Sequence, residues 1–172
     1  NNRRFALADH SEHSPVTTFD ATLAVAIVAN GLLAGLFFAF TCAVSPALGR
    51  LGDHAFVEAF RAVNAVILNG WFLSVFFLAP AVAIVSAVWG GVAREPSLPW
   101  LVTGAFCAVI TFVITVAANV PLNHALDTAL TTTSAQYRAA RLAFEAAWNR
   151  WNLARTFTSV GALGLLSVAT IG

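Results

Sequence analysis

The strongest constraint on this chain is a set of long apolar runs. Residues 21–44 carry no charged side chain and one amide, Asn30, and the runs 66–89 and 100–118 are equally free of charge. Each supplies the ~20 residues a helix needs to cross a bilayer. A fourth run, 151–171, begins with polar residues and continues apolar. With 59% hydrophobic residues, 10% charged residues and a mean hydropathy of +0.79, the chain lies far from the roughly 25% charge of soluble domains. The expected fold is an all-α integral membrane four-helix bundle, with both termini on one side and two helical connections on the other membrane face. A polar tail, 1–20, precedes one membrane domain, 21–172.

Several simpler roles fall away. The net charge of +1 offers no basis for nucleic-acid binding. The first twenty residues are polar and the first apolar run is too long for a secretory signal. The sequence as given has no Met, so its N-terminus reads as trimmed. Cys42 and Cys107 each sit inside an apolar run and read as small packing residues rather than a disulfide or metal pair. His10 and His13, three apart with no further ligands nearby, read as part of a solvated tail.

Local signals divide the rest. Asp20 reads as a cap for the first helix. Gly31 and Gly35 form a small-xxx-small pair for close helix approach, and Asn30 reads as a helix–helix hydrogen bond. Ser45-Pro46 predicts a break. Residues 53–63 predict a short amphipathic helix closed by Asn64, with His54 and Glu58, and Val57 and Arg61, at helical spacing. Pro80 marks an expected kink, and 90–99 an expected tight turn. Thr133 with Gln136 fits a capping box opening a last helix that runs from about 135 through 151 to the end, its first half projecting from the bilayer.

The polar groups gather in 119–155, where apolar helix gives way to amides, a His, two indoles and a guanidinium. Such groups are costly near hydrocarbon without a partner or a purpose. Alternating spans bring Pro46, Asn64, Asn119, Asn123 and Asn152 to one leaflet. Arg141, Glu145, Trp148, Asn152 and Arg155 follow one another by three or four residues, which is one helical stripe. Asn119, Asn123 and Asp127 share a face, although Pro121 distorts that turn, and irregular backbone at this depth is tolerated where it lines a cavity. The expectation is a polar-lined pocket at one end of the bundle. The competing reading has Arg155 snorkelling, the indoles in an interfacial belt and the asparagines as caps.

Arg50, Arg61, Arg138, Arg141 and Arg150 fall after spans one and three, with Arg155 at the edge; Arg3, Arg4 and Arg94 fall on the other side. The positive-inside rule then places those two connections in the cytoplasm and the termini outside, in the cytoplasmic membrane.

At these residues the chain resembles a family of small four-helix membrane proteins, long known as a domain of unknown function, whose named members are anthrone oxygenases. The likeness runs over about 23–171. It rests on the first-span segment 31–38, Ser45-Pro46-Ala47-Leu48, Phe60-Arg61-Ala62-Val63-Asn64, Asn119-Val120-Pro121-Leu122-Asn123 and Trp151-Asn152-Leu153-Ala154-Arg155. For the named members it implies oxidation of an anthrone to an anthraquinone by O2 with no recognised metal or flavin.

No phosphate loop, nucleophile elbow, CxxC or HExxH occurs. Cofactor-free oxygenation suits what remains: an anthrone- or hydroquinone-type molecule loses a proton, and its delocalised anion reduces O2. His124 is the candidate base, oriented or replaced by Asp127. Arg155, Asn152 and Asn123 are candidates to stabilise the anion, Trp148 and Trp151 to stack on a flat ligand, and Asn64 and Asn119 to line the substrate site. A metal held by His54, Glu58, His124, Asp127 and Glu145 lacks the paired Glu-x-x-His motifs of di-iron bundles. The expected partners are the bilayer and a small aromatic or quinone-like ligand, with O2 as co-substrate. The alternative is a non-catalytic accessory subunit of a larger membrane complex or homo-oligomer, binding a lipid or quinone.

Overall fold

The computed structural model describes residues 17–171. It is helical throughout that range, with five helices: α1 Thr18–Leu48, α2 Asp53–Ile67, α3 Gly70–Ala93, α4 Leu98–Thr128 and α5 Ser134–Val168. The expected tail falls largely outside the described residues, and His10 and His13 lie wholly outside them.

Of these helices, α1, α3 and α4 are long and apolar enough to cross a membrane, which fits a membrane protein. In α5 the corresponding half carries Asn152, Arg155, Thr156 and Ser159 on its buried stripe, and these dilute its apolar character. The four long helices close into a ring in the order α1–α3–α4–α5, and α2 lies against α5 and the end of α4. Small and polar residues face the centre: Ala26, Ala79, Ala83, Ala108, Ala162, Ser86 and Ser159 are buried, whereas Val28, Phe77, Val92 and Phe106 point outward. Where lipid solvates the outside, close approach of small residues replaces the hydrophobic drive of a water-soluble core.

Particular junctions depart from expectation. The first helix does not break at Ser45-Pro46. It passes through a π-turn, Phe40–Val44, in which Ser45 N–H reaches back to the Phe40 carbonyl, and it continues to Leu48. The wider turn accommodates a proline that supplies no N–H. A second π-turn, Thr115–Asn119, stands ahead of Pro121 in α4. Asn64 does not close α2, which runs on to Ile67, and the break falls at Leu68–Asn69. The helix α3 continues through Gly90 to Ala93, so the turn is confined to Arg94, in the left-handed region at φ 57°, through Ser97. Asp20 is the third-residue partner of the true cap, Thr17. The Thr133–Gln136 capping box opens α5 as expected.

Asn30 donates to the Ala79 carbonyl on α3 at 3.2 Å, a bond between helices. Only one member of the glycine pair makes a close approach: a Cβ on Gly31 would meet Leu163 at 3.4 Å, whereas Gly35 faces open space.

Two arginines tie down the connections. Arg61 donates to the Leu126 and Ala129 carbonyls and to Thr131 Oγ1, which closes the carbonyl end of α4. Arg141 donates to the Gly49 and Leu51 carbonyls and pairs with Asp53 and Glu145. The hydrogen bond to Glu145, ahead of the charge of Asp53, holds the Arg141 guanidinium above its ordinary pKa.

Candidate functional site

At the end of the ring roofed by α2 and the connections, side chains from all five helices enclose a small cavity of about 50 Å³, including Phe37, Asn64, Phe72, Asn119, Trp148 and Arg155. Asn123 also borders it, and Phe40 and Val63 add apolar wall. The two π-turns lie at this level, one in α1 and one in α4, and Phe40, Thr115 and Asn119 from them border the hollow. Such bulges recur at functional sites because the extra residue re-aims the side chains beyond it.

Arg155 dominates the electrostatics. It is 7% exposed and donates from Nε to Asn152 Oδ1 at 3.1 Å. That is its one hydrogen bond among the described residues, and none of the ion pairs there includes it. Its guanidinium carbon stands 4.2 Å from the centre of the Phe37 ring and 5.1 Å from that of Trp148. Two aromatic faces therefore offset part of the cost of burying the charge. The remainder is uncompensated among the described residues, and a buried cation in that state points to an anionic or electron-rich partner.

Two amides repeat the pattern. Among the described residues, Asn64 Nδ2 and both Asn119 polar atoms are buried with no hydrogen-bond partner, and both residues border the cavity. A buried amide left unpaired costs about 1–3 kcal/mol. Two such amides and a half-satisfied guanidinium around one hollow are therefore an arrangement that folding alone disfavours.

The neighbouring polar groups are satisfied and act as supports. Asn152 donates to Thr41 Oγ1 at 2.7 Å and to the Phe37 carbonyl at 3.2 Å, so the oxygen it presents to Arg155 is fixed by α1. Trp148 Nε1 donates to Asn123 Oδ1 at 2.8 Å. Its ring is held by Phe40, Phe60 and Phe144, with centroids 4.8–6.0 Å away. Trp148 is a wall of the cavity and a face for Arg155, with little freedom to rearrange.

The structure thus brings together Asn64, Asn119, Asn123, Trp148, Asn152 and Arg155. It does not bring in the others. Trp151 is 44% exposed on the outer side of α5, one residue (about 100°) away from Asn152. His124 and Asp127 are exposed on α4. The inward stripe there passes through Asn119 and Asn123 and ends on Leu126, so Asp127 leaves the face that simple four-residue spacing assigns it. Among the described residues no three His, Cys, Asp or Glu side chains converge on one point. Sequence reasoning passed over Phe37, Phe72 and Thr41, since nothing sets them apart within runs of similar residues.

A larger hollow of about 770 Å³ opens at the opposite end of the ring, beside Thr17, Asp20, Trp89 and Glu95. There Thr17 and Asp20 already satisfy one another as a cap, and among the described residues no buried unpartnered polar atom borders the hollow.

Fold and site together define an all-helical protein of membrane character that holds an unpaired cation and unpaired amides in an apolar cavity. The sequence model of the anthrone oxygenase family matches residues 65–165, more than half of the 172-residue chain, and the chain belongs to that family. Asn119, Asn123, Trp148, Asn152 and Arg155 lie inside the match; α1 and Asn64 precede it. No curated protein and no solved structure matches the chain.

Proposed function

We propose that this chain is a membrane-embedded oxidoreductase of the oxygenase type, acting without a cofactor on a flat aromatic molecule of the anthrone or hydroquinone class. The observation that carries this reading is the convergence of Arg155 with the unpartnered amides of Asn64 and Asn119 on a cavity otherwise lined by apolar and aromatic side chains. Those donors suit an oxygen that gains negative charge, and the rings suit the hydrocarbon that bears it.

For an anthrone the chemistry balances simply. Loss of one ring-methylene proton gives an enolate whose oxygen sits against Arg155 and the amides. The enolate reduces O2, and the carbon–oxygen bond forms at the former methylene, with a proton returning to the terminal oxygen. Loss of water from that hydroperoxide, taking the second methylene hydrogen, leaves the quinone carbonyl. One oxygen atom enters the product and the other leaves as water. Donors placed where charge develops lower the barrier by making the anion accessible near neutral pH.

This assigns the protein the role of acidifying the substrate, and the proton passes to water at the nearby bilayer surface. His124 and Asp127, on the outer face of α4, are then dispensable. His124→Ala is expected to leave the pH–rate profile unchanged; loss of its acidic limb would make His124 the base after all.

In the same reading α5 completes a four-span bundle with the site near one bilayer surface and the connections after α1 and α4 in the cytoplasm. Arginines support this, although Arg61 and Arg141 also serve as structural clamps. Single cysteines placed at Arg50 and Arg94 in a Cys42→Ala, Cys107→Ala background should label from opposite sides of sealed vesicles, and labelling from one side would refute the arrangement.

The second reading, a non-catalytic accessory subunit holding a lipid or quinone headgroup, draws on the small size of the cavity. Oxygen uptake by purified protein over a panel of anthrones and hydroquinones, with a chelator control, separates the two: chelator-resistant uptake supports the oxygenase, and no uptake across the panel supports the accessory role.

A further inference from the structure

The cavity beside Arg155 is far smaller than the ~300–1,000 Å³ typical of small-molecule sites, yet on one side only a thin wall separates it from the outer surface. Leu36, Ile67 and Phe72 border the cavity and also line an outward-facing groove of about 340 Å³ that contains Leu32, Trp71 and Val75. All three wall residues are half-buried, as side chains shared between two spaces must be. They come from three different helices, at the point where α2 ends and α3 begins. The two-residue link there is Leu68, 62% exposed, and Asn69, which caps α3 by accepting from Phe72 N–H at 3.0 Å. Trp71, beside the link, is 88% exposed.

We infer that cavity and groove are the two halves of one slot, filled from the bilayer by a polycyclic aromatic molecule with an ionisable oxygen at one end. This rests on the oxygenase reading above and specifies which molecules that site takes. The oxygen lies against Arg155, Asn64 and Asn119, and the rings extend outward between α1 and the α2–α3 junction. Phe72 and Ile67 turn aside to admit them. Together the two spaces reach the size of an ordinary ligand site, which the closed cavity alone does not. The chemistry of each half fits one end of such a molecule: unpaired donors inside, and an apolar groove with exposed Trp71 at its rim outside. The slot selects for ligands already dissolved in lipid, since its open end faces outward from the ring of helices. The same wall sets specificity, because the ring system must pass between Leu36 and Phe72.

The test uses 2-hydroxyanthraquinone, which is already a quinone and undergoes no turnover, with full-length protein in lipid nanodiscs and equilibrium binding read from the ligand's absorbance. Phe72→Trp and Ile67→Trp each add bulk to the wall and should weaken binding tenfold or more. Val28→Trp adds the same ring to the adjoining groove between Ala24 and Leu78, which meets this one at Leu32 and Val75 but does not border the Arg155 cavity, and should change binding less than twofold. Gel filtration identifies any variant that does not fold, and the two wall positions substitute for one another in that event. If both wall variants bind within twofold of the parent while Arg155→Leu does not bind, the slot is wrong and the Arg155 site stands. If Arg155→Leu binds normally, the oxygenase reading and the slot fail together. Equal weakening by Val28→Trp makes the effect one of bulk in the bilayer and overturns the slot.

Discussion

Arg155→Leu is expected to lower oxygen uptake by a hundredfold or more while the protein remains folded and extractable. The two halves of that expectation have separate causes. The guanidinium is the one full positive charge at the cavity, so its loss removes the main stabilisation of a developing anion, and loss of a single preorganised donor already costs ~10²–10³ in rate. Folding should tolerate the change because Arg155 has no counterion among the described residues to be left behind. Breaking a buried ion pair strands a charge, whereas removing a buried charge that was never paired relieves a desolvation cost. Against that stand the hydrogen bond to Asn152 and the two ring contacts, so the net change in stability should stay within about 2 kcal/mol. Oxygen electrode traces and thermal unfolding of the same preparation measure both quantities. A variant that loses activity only because it no longer folds would make Arg155 a structural residue. Arg155→Lys should recover little, since the ammonium is a point donor and stacks less well between Phe37 and Trp148.

Asn119→Leu is expected to move stability and activity in opposite directions. Neither polar atom of Asn119 has a partner among the described residues, and the residue is 1% exposed, so a leucine, which keeps the branched four-atom side chain and takes its extra bulk into the adjoining cavity of about 50 Å³, removes an uncompensated burial of about 1–3 kcal/mol. The melting temperature should rise. Turnover should fall tenfold or more, because an amide available to the substrate oxygen has gone. Stabilising substitutions that cost function are the ordinary signature of a site kept at some expense to the fold. A drop in melting temperature would show that the amide has a structural partner in the folded protein. Asn64→Leu should show the same sign with a smaller stability gain, since Asn64 Nδ2 alone is stranded there.

Much of this architecture is legible in the residues. Apolar runs located α1, α3 and α4, because hydrocarbon solvation demands length and absence of charge and little else. The polar stripe of α5 announced Trp148, Asn152 and Arg155, because three- and four-residue steps define one face of a helix whatever lies opposite. The same rule misplaced Asp127 and was silent on the π-turns. One inserted residue within a turn rotates everything beyond it, and the sequence marks such an insertion only indirectly, through Pro46 and Pro121. His124 illustrates a different failure: a chemically suitable residue next to a site residue in sequence points elsewhere, since adjacent positions on a helix face about 100° apart.

By itself, then, the amino-acid order determined that this chain is helical, suited to a bilayer, and polar at one end, because each of those properties depends on local composition and periodicity. Only the tertiary structure decided that Phe37 and Trp148 flank Arg155, that Asn64 and Asn119 meet without partners among the described residues, and that Leu36, Ile67 and Phe72 stand between them and an outward-facing groove. Those facts depend on distances between helices far apart in the chain, and whether a buried donor is satisfied is a property of its surroundings that no residue carries alone.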